Sequence, residues 1–264
     1  MKQVIRLSSL LTFIVCWLAF IGVATATNPK DEAAQLFQHK QYKEALDVWY
    51  GLVQDGNVGA GIYYNIGVAE SLLGQTPKAV LAFEKALRFK PADKRILEAI
   101  VLERKKIESA VIPVPTFFLS RWIKTTLSFL RPGYWAIIGL TIILLLLVWI
   151  TKDKNNAWRN QGTERRKVLI LLAAGILFLS CAWLSYRQLY RTDEAVVVAE
   201  CVFRQAPSDD SPSLRTIYPG EKVIMSDQIG EWHQVRLLNL DEGWVKSESF
   251  ELIKIDGVAP AKGK

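Results

Sequence analysis

Side chains able to perform covalent or acid–base chemistry are sparse and isolated in this sequence. Its 264 residues include two histidines, His39 and His233, and three cysteines, Cys16, Cys181 and Cys201. A general base or an activated nucleophile needs a partner held beside it. His39 falls in a predicted turn between two helices, where a solvated residue is the default, and His233 alternates with Trp232 on a predicted strand. Cys201 has no neighbouring histidine to make it a thiolate, while Cys16 and Cys181 lie inside apolar runs. Cys16 follows Phe13-Ile14-Val15, which lacks the small residue that a lipid-modified cysteine wants before it. There is no Cys-x-x-Cys and no pair suited to a disulfide framework. Asp209-Asp210-Ser211-Pro212-Ser213 fits a D-x-S-x-S metal-site start, but its surroundings predict a turn and no preceding buried parallel strand. Serine-hydrolase, zinc-protease, phosphate-loop and dinucleotide motifs do not occur. The sequence predicts a non-enzymatic protein without catalytic, cofactor-binding or metal residues, whose chemistry is recognition.

Recognition surfaces need elements to carry them, and the first is a repeat. Ala33, Ala45, Trp49 and Asn57 recur 34 residues later as Gly67, Ala79, Phe83 and Pro91. Residues 60–93 place Tyr63, Ile66, Gly67, Gly74, Ala79, Phe83, Ala86 and Pro91 at positions that resemble the tetratricopeptide repeat. The preceding copy, about residues 26–59, keeps Tyr42, Ala45 and Trp49. The resemblance implies all-α helical hairpins that bury their faces on one another. Small residues at 67 and 79 let helices approach, Phe83 fills the space between units, and Pro91 ends a helix. Asn28-Pro29 predicts a capped helix start. Residues 94–109 predict a further, capping helix, with Ile96, Ala99, Ile100 and Ile107 on one face and Glu103-Arg104-Lys105-Lys106 on a solvated one, which closes the module at 27–110. In this family the first helix of each unit lines the binding surface, which implies a protein-binding groove over Lys30, Phe37, Tyr64, Val68 and Ser71. Lys30, Asn65 and Arg95 match three positions of carboxylate-clamp members, whereas Ala34 and Ala99 depart from that pattern. A partner segment across Phe37 and Tyr64 is therefore the expectation, with aromatic anchors supplying much of the energy.

Residues 192–255 change to short β-type runs, at 195–199, 202–204, 222–225, 231–237 and 243–246, separated by turn signals such as Pro219-Gly220. Five strands in some sixty residues predict a small all-β barrel. It resembles a bacterial SH3-like domain through Val202-Phe203-Arg204, Pro207-Ser208, Leu214, Pro219-Gly220-Glu221, Gly230-Glu231-Trp232, Val235-Arg236 and Gly243-Trp244-Val245. Val-Phe-Arg stands where that family has Asn-Val-Arg, which leaves the ligand open. Trp232 and Trp244 are expected as core and rim packing. Residues 256–264 are expected to be a disordered tail.

The net charge of +7 is unevenly distributed: +2 over 1–26, +1 over 27–115, +9 over 116–191 and −5 over 192–264. A nucleic-acid partner needs a basic face on a soluble module, and the excess lies instead in the most apolar third of the chain. Residues 1–26 have the form of a signal peptide, with Lys2 and Arg6, an apolar run and Ala24-Thr25-Ala26; an uncleaved anchor would give the same orientation. Residues 133–151 and 168–186 are each long and apolar enough for a transmembrane helix. Between them, the loop 152–167 carries Lys152, Lys154, Arg159, Arg165, Arg166 and Lys167, which by the positive-inside rule stays cytoplasmic. Residues 27–132 and 187–264 then lie across the membrane. Residues 111–132 combine the stiff Val111–Pro115 linker with an amphipathic segment, 117–130, read as an interfacial helix or a loop on the soluble module, the helix preferred.

Signal, short repeat array, two spans and SH3-like module together resemble the BatE-type proteins of the Bacteroides aerotolerance cluster. The resemblance implies a multidomain inner-membrane protein with periplasmic modules that work with other envelope proteins, and it brings no catalytic residues. The leading expectation is a membrane-anchored scaffold whose modules bind partner proteins. The alternatives are a peptidoglycan receptor acting through the SH3-like module and an accessory subunit of a membrane enzyme. Expected partners are proteins, membrane lipid and, in the second reading, peptidoglycan; nucleic acid is excluded.

Overall fold

The computed structural model describes residues 28–107, 118–152 and 163–255. The signal peptide, the 111–115 linker, residues 153–162 of the basic loop and the tail after 255 lie outside the described residues. Five helices form the first body: α1 (Pro29–Gln38), α2 (Tyr42–Gln54), α3 (Ala60–Leu72), α4 (Thr76–Phe89) and α5 (Lys94–Arg104). Each packs on the next. Asn28 caps α1 by accepting the Lys30 N–H at 3.2 Å, with Pro29 in the first turn, and Asp93 caps α5 by accepting the Arg95 N–H at 3.1 Å.

The 34-residue correspondence is a packing correspondence. Ala33, Ala45, Trp49, Tyr63, Ile66, Ala79, Phe83 and Ala86 are all buried in one core. Gly67 is required by contact: a Cβ there would lie 2.5 Å from the Phe83 ring. Gly67→Ala is therefore expected to cost roughly 1–3 kcal/mol through overpacking, read as a lowered denaturation midpoint of the full chain in detergent. An unchanged midpoint would mean that Phe83 can move aside.

One expectation for this body needs correction. Glu103 and Arg104 do not form a solvated face. Glu103 is buried and accepts from Ser71 and from Lys106, and Arg104 reaches back to Glu84 at 2.9 Å. The final turn of α5 rests on α3 and α4 and pairs these charges internally through one Glu103 oxygen and the Arg104 terminal nitrogen, while Glu103 Oε2 and Arg104 Nε are buried without a hydrogen bond among the described residues.

Helix α6 (Phe118–Leu127) precedes two long apolar helices, α7 (Pro132–Lys152) and α8 (Thr163–Leu189). Their apolar stretches have a mean hydropathy of 2.4 and only 11% of each is buried within the protein, unlike core helices of that length. Both are long and apolar enough to cross a membrane. They cross closely at two glycines: a Cβ on Gly175 would lie 2.6 Å from Ile143, and one on Gly139 would lie 3.1 Å from the Gly175 carbonyl oxygen. On α6, Leu127 is buried, whereas Trp122 stays 66% exposed with Leu119 and Ile123.

The C-terminal body is an antiparallel sheet of β1 (Glu194–Val197), β2 (Cys201–Arg204), β3 (Ser213–Ile217), β4 (Lys222–Ile229), β5 (Trp232–Leu237), β6 (Glu242–Lys246) and β7 (Phe250–Leu252), in the order β3-β2-β6-β5-β4-β1-β7. One face gathers Ala195, Val197, Phe203, Ile217, Val223, Val235, Leu237 and Val245 into a single core, so the sheet is strongly curved. Gly243 permits a close strand approach: a Cβ would lie 2.7 Å from the Arg204 carbonyl oxygen and from the Phe203 ring. Strands β3 and β7 were not among the five expected. In β3 only Ile217 is buried, so no alternation marks it, and β7 has three residues.

The two bodies are docked. Strand β1 is buried on both faces: Ala195 and Val197 enter the sheet core, while Val196 turns outward and packs with Ile253 against Val80 and Leu81 of α4. Charges surround this contact. Lys222 bridges Glu84 at 2.8 Å and Glu194 at 3.0 Å. Arg88 pairs with Glu194 at 3.3 Å and donates to the Arg191 carbonyl at 2.7 Å. Gly220, at φ 98°, brings the β3–β4 turn against Ile107, and Ile255 joins the helical core. The α4 stretch Ala79-Val80-Leu81-Ala82-Phe83 is apolar around more than one face, and Ala195-Val196-Val197-Val198 does not alternate. Those two runs are the sequence signal of the contact.

Candidate functional site

Of the groove residues inferred from the repeat, Lys30 is exposed and Phe37, Tyr64, Val68 and Ser71 are half-buried. Phe37 leans on Tyr42 and Trp49, with ring centroids at 5.3 and 5.8 Å. Tyr64 packs on Phe83 at 5.6 Å and lies under the Arg95 guanidinium at 5.8 Å. Val68 is half-buried, and Ser71 is tied to Glu103 and Lys106. Tyr64 and Arg95 thus keep an exposed cation above a half-buried ring, a geometry suited to an extended apolar or aromatic partner segment. Lys30 and Asn65 lie elsewhere, on the wall of a cleft considered below, while Arg95 is held by Asp93 at 3.2 Å. The three clamp-matching residues are therefore engaged in separate ways.

A second surface lies on the outer face of the sheet. The register sets Trp232 opposite Lys246, Gln234 opposite Trp244, and Arg204 opposite Trp244. Trp232 and Trp244 are half-buried on the face opposite the core, which His233, Val235 and Val245 enter. Neither tryptophan is core packing. Alternation with those residues was the available signal. The Lys246 ammonium sits 5.2 Å from the Trp232 ring centre and pairs with Asp209 at 2.9 Å. Asp209–Pro212 forms a turn that leads into β3 at Ser213: Asp209 faces Lys246, Ser211 Oγ accepts the Ala206 N–H at 2.9 Å, and Arg204 donates to the Ser211 carbonyl at 2.7 Å.

Burial shifts two of the titratable side chains suited to catalysis, His233 and Cys201. His233 is buried edge-on to Phe250 at 5.0 Å, and burial lowers its pKa. Burial pushes the Cys201 thiol up to about 11. His39 caps the end of α1 in an exposed turn. Among the described residues, no three His, Cys, Asp or Glu side chains gather as metal ligands.

A third feature was not foreseen. A cleft of about 980 Å³ separates the helical body from the adjoining ends of α7 and α8. Lys30, Asn57, Asn65 and Arg88 line one wall, and Arg131, Tyr134, Tyr186 and Tyr190 the other. Leu189 also lines it, and Leu189 and Tyr190 pack on the helical core. The Leu127 carbonyl accepts from Ser185 Oγ at 3.0 Å and from Trp135 Nε1 at 3.2 Å, fixing the end of α6 to both long helices. Three cations and no carboxylate line the cleft.

Of the basic loop residues, Lys152 ends α7, and Arg165, Arg166 and Lys167 stand in the first turns of α8, at the end away from the cleft. Lys154 and Arg159 lie outside the described residues.

The ionic ring at the docking contact has a pH signature. Burial disfavours the Glu194 carboxylate, but Lys222, Arg88 and Arg191 outweigh it and lower its pKa. Burial likewise opposes the Lys222 charge, and Glu84 and Glu194 outweigh it and raise its pKa. A lowered carboxylate contributes stability above its ordinary 4.5 and loses it as pH falls through the folded value; a raised ammonium contributes below 10.5 and loses it as pH rises through its own folded value. Docking is expected to be flat between those limits and to weaken below about pH 4. Hydrogen exchange at residues 194–197, corrected for intrinsic rates, measures it, and full protection at about pH 3 would contradict it.

No protein-family model matches the chain, and no curated protein matches it.

Proposed function

We propose that this protein is a membrane-anchored envelope scaffold that binds partner proteins through two exported modules. The observation that carries this reading is the α4–β1 docking. It joins the two bodies into one unit that carries both aromatic-and-cation surfaces, Tyr64 with Arg95 and Trp232 with Lys246, beside the two apolar helices. In this reading the helical body is a tetratricopeptide module with a capping helix, and the sheet is an SH3-like module. The helices α7 and α8 span the inner membrane, their basic connector is cytoplasmic, and both modules face the periplasm. BatE-type architecture is the family reading that fits, and it supports a role beside other envelope components.

The test uses photoreactive residues at Tyr64 and Trp232 in the full chain in native membranes. Adducts to one membrane protein, lost on substituting the neighbouring Arg95 or Lys246 by alanine, support the scaffold. Absence of any protein adduct at both positions overturns it. Protease added to spheroplasts tests topology independently, because survival of either module would reverse the orientation.

A second reading is favoured by the diagonal Trp232–Trp244 pair on the outer sheet face. Half-buried indole rings on an outer sheet face can stack on flat apolar or sugar rings, as a peptidoglycan receptor needs. Glycan adducts at Trp232 without protein adducts would select it.

A further inference from the structure

We infer that the cleft between the helical body and the adjoining ends of α7 and α8 holds one anionic phospholipid, its phosphate between Lys30 and Arg131 and an acyl chain along α7 past Tyr134 and Ile137. The inference rests on the reading that α7 and α8 cross a bilayer, whichever side the modules face.

Position supplies the first reason. The cleft is lined by residues 131–134 at the start of α7 and 185–190 at the end of α8. Helices long enough to span the hydrocarbon layer end at headgroup level, so the cleft opens where lipid headgroups lie. Tyr134, Tyr186 and Tyr190 mark the same level, where amphipathic aromatic rings concentrate. Tyr186 and Tyr190 pair with ring centroids 4.7 Å apart.

Charge supplies the second. Lys30, Arg88 and Arg131 line the cleft without a carboxylate. Arg88 is committed to Glu194 and the Arg191 carbonyl, whereas Lys30 and Arg131 are exposed. Two exposed cations facing a headgroup layer select an anionic over a zwitterionic lipid.

Shape supplies the third. About 980 Å³ is at the upper end of small-molecule sites and admits a glycerophosphate headgroup. From it an uncovered apolar path leaves along α7, where Tyr134 is 58% and Ile137 60% exposed. A soluble anion would use the cations alone; a lipid uses both features. A protein segment would leave the apolar path into the bilayer unused.

The full chain in mild detergent, titrated with phosphatidylglycerol or phosphatidylcholine and read by native mass spectrometry, tests this. One phosphatidylglycerol per chain is expected to persist, with little phosphatidylcholine. Lys30→Gln and Arg131→Gln are each expected to lower retention roughly fivefold, and Ile137→Ser to lower it without changing the charge. Arg236→Gln, an exposed cation on β5, serves as the control. Equal retention by wild type and the Lys30→Gln/Arg131→Gln variant would overturn the inference. So would glycerol phosphate binding as well as the intact lipid, or displacement of the lipid by a co-purifying protein. Carbonate extraction of the same membranes separates the two levels of failure. Release of the chain overturns the membrane reading and this inference with it; an integral chain with indiscriminate retention overturns this inference alone.

Discussion

Lys222→Glu is expected to undock the sheet from the helical body. The substitution would place a third carboxylate beside Glu84 and Glu194, which now share the Lys222 ammonium at 2.8 and 3.0 Å. Losing one partner of a buried ion pair costs about 3–5 kcal/mol, because the remaining charge stays desolvated. Reversal adds repulsion to that. The apolar contact of Val80, Leu81, Val196 and Ile253 is untouched, so the contest is between two opposing terms of similar size. Burying a Val or Leu side chain is worth about 1.5–3 kcal/mol, but Val196 and Ile253 share their burial with the sheet's own neighbours. The charge term should therefore win. Lys222→Met is expected to be milder, since Arg104 still faces Glu84 and Arg88 still faces Glu194. Hydrogen exchange over 80–88 and 194–197 in both variants measures the difference. Equal protection in wild type and Lys222→Glu would show that the apolar contact alone holds the bodies together.

Phe83→Ala is expected to be the most damaging single truncation of the helical body. The ring is 2% exposed, packs on Tyr64 at 5.6 Å, and fills the space that Gly67 leaves open. Large-to-small changes at such positions cost about 3–5 kcal/mol, a large share of the ~5–15 kcal/mol that stabilises a typical domain. Phe83→Leu should cost clearly less, and Gly67→Ala in the Phe83→Leu background should be tolerated better than in wild type, because the colliding ring is gone. Denaturation of the full chain in detergent, followed by aromatic circular dichroism, gives these values. A loss below about 1.5 kcal/mol for Phe83→Ala would mean that α3 and α4 close over the gap.

The elements themselves were largely legible from local pattern. The 34-residue spacing of Ala45 with Ala79 and of Trp49 with Phe83 marked equivalent buried positions, because helix–helix packing imposes small and large residues at set offsets. Asn28-Pro29 announced the start of α1 through its capping chemistry. The uninterrupted apolar runs around 133–151 and 168–186 announced α7 and α8. Alternation located β5 and β6, but it failed at β3, where only Ile217 is buried and nothing distinguishes the exposed residues from a loop.

Periodicity states which face of an element is apolar, and it is silent on what covers that face. Val80-Leu81 and Val196 signalled surplus apolar surface, yet only the tertiary structure showed that they cover each other. The same limit applied to charge. Glu84 and Lys222 stand 138 residues apart, and a local reading treated Glu103-Arg104 as solvated because nothing nearby in sequence demanded a partner. The cleft is the extreme case. Lys30, Arg88, Arg131 and Tyr190 belong to four separate segments, and they share a site only because Leu189 and Tyr190 pack on the helical core and draw the ends of α7 and α8 against it. The elements and their apolar faces follow from interactions within a few turns or strands, and local pattern carries those. The pairing of faces, the ionic ring and the cleft were decided by contacts between distant segments, which no local pattern encodes.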